Sequence, residues 1–171
     1  MGNSDLSLHV GNDVIAPVPV VRDLGLLLDS DLSVKKHASK VVSVCYFHLR
    51  RLKPIRCILD RPITTSLVNI FVLSRLAYCN SVLAGLPKST IAPLQRVENA
   101  VARLIRGIGS RDHVTPALYE LHWLPVEQRV TFKLCVFMHL IHTGCSPSYV
   151  SEWVTSTFTI ASRSRLRSAS S

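Results

Sequence analysis

The chain has 171 residues, enough for one domain that closes a core of its own. Apolar residues make up 47% and charged residues only 18%, so the interior is generous or part of the apolar surface faces a partner. The net charge of +9 is unevenly placed. Residues 1–31 hold five aspartates against Arg22 alone, a net of −4, while the remaining 140 carry +13, an excess that attracts a polyanion such as nucleic acid or an acidic membrane surface.

The N-terminal part alternates short β-prone pieces with turn formers: Leu6 to Val10, Gly11-Asn12-Asp13, Val14-Ile15, two prolines, then Val20-Val21 and Leu24 to Leu28. This pattern predicts a small β-meander or hairpin over residues 1–31. From Ser33, the expected N-cap, the period becomes helical, with Val34, Ala38, Val41, Cys45, Leu49 and Leu52 on one stripe and Pro54 as the stop. The next helix opens at Asp60 and Pro62. It carries apolar residues on almost every side from Ile63 to Tyr78, which predicts a buried helix. A third starts near Ser89 and places Leu94, Val97, Val101, Leu104, Ile105 and Ile108 along one face, until Gly107 and Gly109 loosen it.

Thr115-Pro116 begins a short helix. Pro125 begins a longer one with Val126, Val130, Leu134, Phe137, Met138 and Ile141 that stops at Gly144, and Pro147 starts a short turn to Trp153. The fold class expected is mainly α, a helical bundle of five or six helices over residues 32–154 with the small β element before it. The tail from 155 to 171 is rich in Ser and Arg and is expected to be disordered, having too little apolar area to offset its ordering entropy.

Five cysteines are an odd number, and no N-terminal stretch resembles a signal peptide. Together these predict reduced thiols in an intracellular protein of the nucleus or cytoplasm. No run reaches the ~18 apolar residues of a membrane span, because Asn69, Arg75, His139 and His142 interrupt the best candidates. No membrane partner is expected.

The strongest functional signal lies on the outer face of the first helix. Lys36, Lys40, Arg50 and Arg51 fall within about one hundred degrees on a 3.6-residue wheel, with Ser43 and Phe47 between them. Interleaved cations and an aromatic suit a phosphate backbone, with Phe47 placed to pack on a sugar or base. The plainer reading is a solvated basic face whose Phe47 touches a neighbouring element. Arg96, Arg103 and Arg106 repeat the asymmetry beside Asn99 on the third helix.

Cys135, His139 and His142, followed by Cys145, form a list of zinc-ligating residue types, but no CxxC knuckle accompanies them and core histidines at a helix seam are commoner. There is no GxSxG, HExxH or P-loop. The aspartates near the N-terminus sit at strand ends and turns, where Asp serves the backbone. Neither a metal, a cofactor nor a small-molecule substrate is expected.

Several strings, in order, give the chain a wider likeness: Asp23-Leu24-Gly25-Leu26-Leu27-Leu28-Asp29, Ser74-Arg75-Leu76-Ala77-Tyr78-Cys79-Asn80, and Leu94-Gln95-Arg96-Val97-Glu98-Asn99-Ala100. Leu121-His122-Trp123-Leu124-Pro125-Val126 with Arg129, and Pro147-Ser148-Tyr149-Val150, complete the series. Over about residues 6–153 the chain resembles the region after the polymerase active site in LINE-type non-LTR retrotransposon reverse transcriptases. The resemblance implies that the Leu24–Asp29 strand is the end of the palm and that the helices from Ser33 onward are the thumb and the segment beyond it, beside template and primer. A thumb holds the duplex by its backbone.

In that family the metal-binding aspartate pair lies upstream of the matching region, and this sequence contains no Asp-Asp pair. The expectation is therefore a fragment of an RNA-directed DNA polymerase without its catalytic palm. It binds RNA or DNA backbones non-specifically through Lys36, Lys40, Arg50, Arg51, Arg96, Arg103 and Arg106, with the missing palm region as a further partner. The alternative is a helical interaction module, or a degenerate transposon-derived frame with no activity of its own.

Overall fold

The computed structural model describes residues 7–155, so residues 156–171 of the expected disordered tail lie outside the described residues. The chain divides into two compact units, Met1–Glu127 and Gln128–Ser171. The fold is mainly α with a small N-terminal strand region.

Two separate antiparallel hairpins open the first unit. Strands β1 (Leu8–Val10) and β2 (Asp13–Ile15) pair with Leu8 opposite Ile15, and β3 (Val20–Asp23) and β4 (Leu26–Asp29) pair with Val20 opposite Asp29. The second hairpin turns through Leu24 and Gly25, both at positive φ, which matches the right-handed twist of its strands. Leucine rarely takes that conformation. The Tyr78 hydroxyl donates to the Leu24 carbonyl at 2.5 Å, and the Tyr78 ring lies 3.4 Å from where a Cβ on Gly25 would be.

Helix α1 spans Lys35–Ile55 and begins one residue later than the capping rule suggests. Ser33 does not cap it. Its backbone N–H and hydroxyl both donate to the Asp29 carboxylate, at 2.7 and 2.5 Å, while Val34 at φ 53° makes the entry. Those bonds, the hydroxyl's first, hold the Asp29 carboxyl below its ordinary range. Pro54 also fails to stop the helix before itself. It removes one N–H from the last turn, and Arg56 N–H still reaches the Leu52 carbonyl at 3.1 Å.

The second helical stretch runs through α2 (Arg61–Val68), a π-helical turn (Asn69–Leu73) and α3 (Ser74–Ala77). The expectation of burial on every side is corrected: Thr64, Val68, Val72 and Leu76 are buried, while Ile63, Phe71 and Ile70, the last 63% exposed, face outward. A strict spacing of four would drift about 40° per step on an α-helix. The wider π turn offsets that drift and keeps the four on one side. Carbonyls loosened by the turn are taken up by side chains: Ser74 Oγ donates to Ile70 O, Arg75 Nε to Phe71 O at 3.2 Å, and the buried Cys45 thiol to Val72 O at 3.9 Å.

A short 3₁₀ turn (Asn80–Leu83) leads to α4 (Lys88–Arg106), whose buried stripe includes Leu94, Val97, Val101 and Ile105 and packs on α1. Gly107 ends it at φ 70°, its N–H bonded to Arg103 O at 2.8 Å, the left-handed helix ending that glycine adopts without a Cβ penalty. Helix α5 (Thr115–Glu120) brings Ala117 and Leu118 against Ala102, with Ile108, Val114, Leu121 and Trp123 around them. Gln95 bonds both the fully buried Glu98 and the part-buried Asn99 on α4. Its amide N–H₂ donates to Glu98 and Asn99, and its Oε1 accepts the Val126 N–H at 2.8 Å.

Helix α6 (Val126–His142) starts at the unit boundary, and α7 (Ser148–Ser151) lies in the second unit. Gly144 closes α6 in a Schellman arrangement, with Cys145 N–H on Leu140 O and Gly144 N–H on Ile141 O. Of the apolar stripe expected here, Val126 and Val130 are buried. Phe132, Leu134, Phe137 and Met138 are exposed, as are Tyr149 and Trp153. Among the described residues no helix is long and apolar enough to cross a membrane.

Candidate nucleic-acid interface

Two helices of opposite surface chemistry on their two sides, once packed by their apolar stripes, leave a cleft where their flanks meet. Between α1 and α4 that cleft encloses about 790 Å³. Its α1 wall carries Arg50, Lys53 and Arg56, and its α4 wall carries Arg96 and Arg103, five cations with no carboxylate among the lining residues. Leu49, Ala100, Leu104 and Ile108 add apolar lining, and Tyr46 and Asn99 also line it.

Arg56 lies against the C-terminal end of α4. Its guanidinium occupies the space a side chain on Gly107 would need, over a helix C-terminus whose open carbonyls are the negative end of the helix dipole. Arg103 Nη2 donates to the Asp112 carbonyl at 3.2 Å, while its buried Nε has no hydrogen-bond partner among the described residues. The loop is shaped by Asp112, whose Oδ2 accepts the Gly109 N–H at 2.6 Å.

The seven cations expected to act together are divided by the fold. Arg50, Arg96 and Arg103 share the α1/α4 cleft. Lys40 lines a second concavity of about 760 Å³ between the β3–β4 hairpin, α1 and the π turn, together with Arg22, Arg75 and His37, again without a carboxylate. Lys36 is exposed and near enough to Asp29 to help lower that carboxyl. Arg51 is exposed, with its guanidinium 5.5 Å from the centre of the Phe47 ring. Arg106 is engaged in an ion pair with Glu120.

Phe47 is 48% exposed and also meets His48 edge-on, and His48 stacks on Phe71 with ring centres 5.2 Å apart. Burial and the nearby Arg75 and Arg51 lower the His48 pKa, and burial lowers that of His37. Both rings favour the neutral form.

Lys53 lies off the arc of Lys36, Lys40, Arg50 and Arg51 on the helical wheel, and Arg56 follows Pro54, where the sequence pattern predicts the helix to have ended. Their spacing from Arg50, three and six residues on, is the signal that finds them once the helix runs through. Arg22 and Arg75 carry no such local signal. Among the described residues no three His, Cys, Asp or Glu side chains are grouped to hold an ion. Neither a protein-family model, a curated protein nor a solved structure matches this chain.

Proposed function

We propose that this chain is the thumb-like part of a LINE-type reverse transcriptase, on the strength of the ordered sequence strings, and that it binds RNA or DNA through the phosphate backbone without sequence choice. The observation that carries the binding reading is the clustering of cations on α1 and α4 in surfaces whose lining contains no carboxylate. A cleft lined by one sign of charge focuses the field and draws in a polyanion. Release of condensed counterions then supplies most of a non-specific affinity.

Lys36, Lys40, Arg50 and Arg51 are exposed on α1, and neutralising about four duplex phosphates lowers affinity by around a hundredfold between about 50 and 200 mM salt. The direct test reverses Lys36, Lys40, Arg50 and Arg51 to glutamate and measures retention of labelled RNA and DNA duplexes over that salt range. Loss of retention in the variant, with a steep salt dependence in the parent, is expected. Salt-independent binding overturns the reading.

A second reading is favoured by the apolar exposure of α6, where Phe132 is 60% exposed and Phe137 43%. Apolar side chains at this density on one helix mark a surface that a partner covers, and a helical interaction module is that alternative. Unchanged nucleic-acid retention in the charge-reversed chain, together with self-association in sedimentation, selects it.

A further inference from the structure

We infer that the α1/α4 cleft is a separate site that takes one phosphate-bearing nucleotide unit, either a free nucleoside polyphosphate or a nucleotide of a single strand, and excludes a duplex. It rests on the backbone reading only in sharing Arg50, Arg96 and Arg103, and it adds Lys53, Arg56 and Tyr46.

Size decides between ligands. The cleft holds about 790 Å³, within the range of about 300–1,000 Å³ typical of small-molecule sites. It lies between packed helices, whose axes are commonly about 8–10 Å apart. A duplex whose major groove alone is about 12 Å wide rests on the outer face of α1 and does not enter.

Chemistry points the same way. Five cations line a small concavity with no lining carboxylate, an arrangement that repels itself until an anion enters. Arg56 is held at one end of the cleft above Gly107, and guanidinium groups present forked donors that match phosphate oxygens. The remaining lining is not cationic: Leu49, Ala100, Leu104 and Ile108 are apolar, and Tyr46 adds an aromatic ring. A base has a π face for the ring and an edge for the Asn99 amide. Inorganic phosphate alone would leave the apolar and aromatic lining unused.

The test compares three probes on the full chain: ATP, a short 5′-phosphorylated oligothymidylate, and a blunt DNA duplex. Each is titrated by fluorescence anisotropy or calorimetry at several salt concentrations. Lys53→Gln with Arg56→Gln is expected to flatten the oligothymidylate salt slope by about 1.4, because each single-strand phosphate contact contributes about 0.7. The duplex slope stays unchanged. Tyr46→Leu is expected to weaken oligothymidylate binding at least about fivefold, the loss of one stacked base. Lys53 is exposed, so Lys53→Gln alone, expected to lower the slope by about 0.7, keeps the test valid if the double variant melts early.

Binding of ATP without the oligonucleotides supports the cleft and overturns the duplex reading. Duplex binding lost through Lys36→Gln with Arg51→Gln, while the Lys53 and Arg56 variants change nothing, supports the duplex reading and overturns the cleft. Equal loss of duplex and single strand in the Lys53 and Arg56 variants also overturns it.

Discussion

Replacing Gly107 by alanine probes how the cleft is held together. Gly107 sits at φ 70° and Gly85 at φ 73°, so an added Cβ meets similar backbone strain at both, while only at Gly107 does it meet a neighbour, the Arg56 guanidinium. An L-residue forced into that left-handed region loses about 1–2 kcal/mol. Gly85→Ala is expected to cost that and no more, because nothing lies within 4 Å of its new Cβ. Gly107→Ala adds displacement of Arg56 from the negative end of α4, worth about 0.3–1 kcal/mol at a partly exposed helix end. The measurement is urea unfolding by far-ultraviolet circular dichroism, run for both variants in the parent and in an Arg56→Gln background. In the Arg56→Gln background the two alanine substitutions should cost the same. Equal costs already in the parent, or a difference that survives removal of Arg56, would refute the placement of Arg56 by Gly107.

Leu94 is 2% exposed in the α4 stripe, and Leu94→Ala is expected to destabilise the first unit by about 3 kcal/mol through lost burial and a residual cavity, read as a lower urea midpoint. The His37 pKa is lowered in the fold from 6.5 by burial, and that of His48 by burial and the nearby arginines. The unfolded chain therefore binds more protons below pH 6.5, so stability is fully present above 6.5 and falls as pH drops through the depressed folded values. His37→Gln should shallow the decline of melting temperature between about pH 7 and 5, and an unchanged decline counts against the assignment. Burial pushes the Cys45 thiol up to about 11, whereas Cys57, Cys135 and Cys145 are exposed. Alkylation of the native chain followed by peptide mass mapping should label those three and spare Cys45 until denaturant is added.

Helical periodicity alone located α1 and α4 and assigned their inner stripes, because a 3.6-residue repeat of apolar side chains is a local property of the chain. It also put Lys36, Lys40, Arg50 and Arg51 on the outer side of α1, since charge avoids the packed face. Glycine at 107 and 144 marked helix ends for the same local reason: few other residues take positive φ at low cost. Tertiary structure decided the rest. The π turn that gathers Val68, Val72 and Leu76 breaks the repeat from which burial was read, so the stretch from Ile63 to Tyr78 looked buried all round. Helix α1 passes Pro54 because only the last turn loses a hydrogen bond, and that extension brings Arg56 to the cleft beside Lys53. Which cations share a cleft depends on how two helices are rotated and crossed when their stripes interlock. The packing of different elements beside α1 opens Lys40 and Arg50, ten residues apart on that helix, onto different concavities, and the packing of α5 on α4 brings Glu120 to Arg106. Such packing is set by the fit of side chains from distant parts of the chain, which no repeat within one helix encodes.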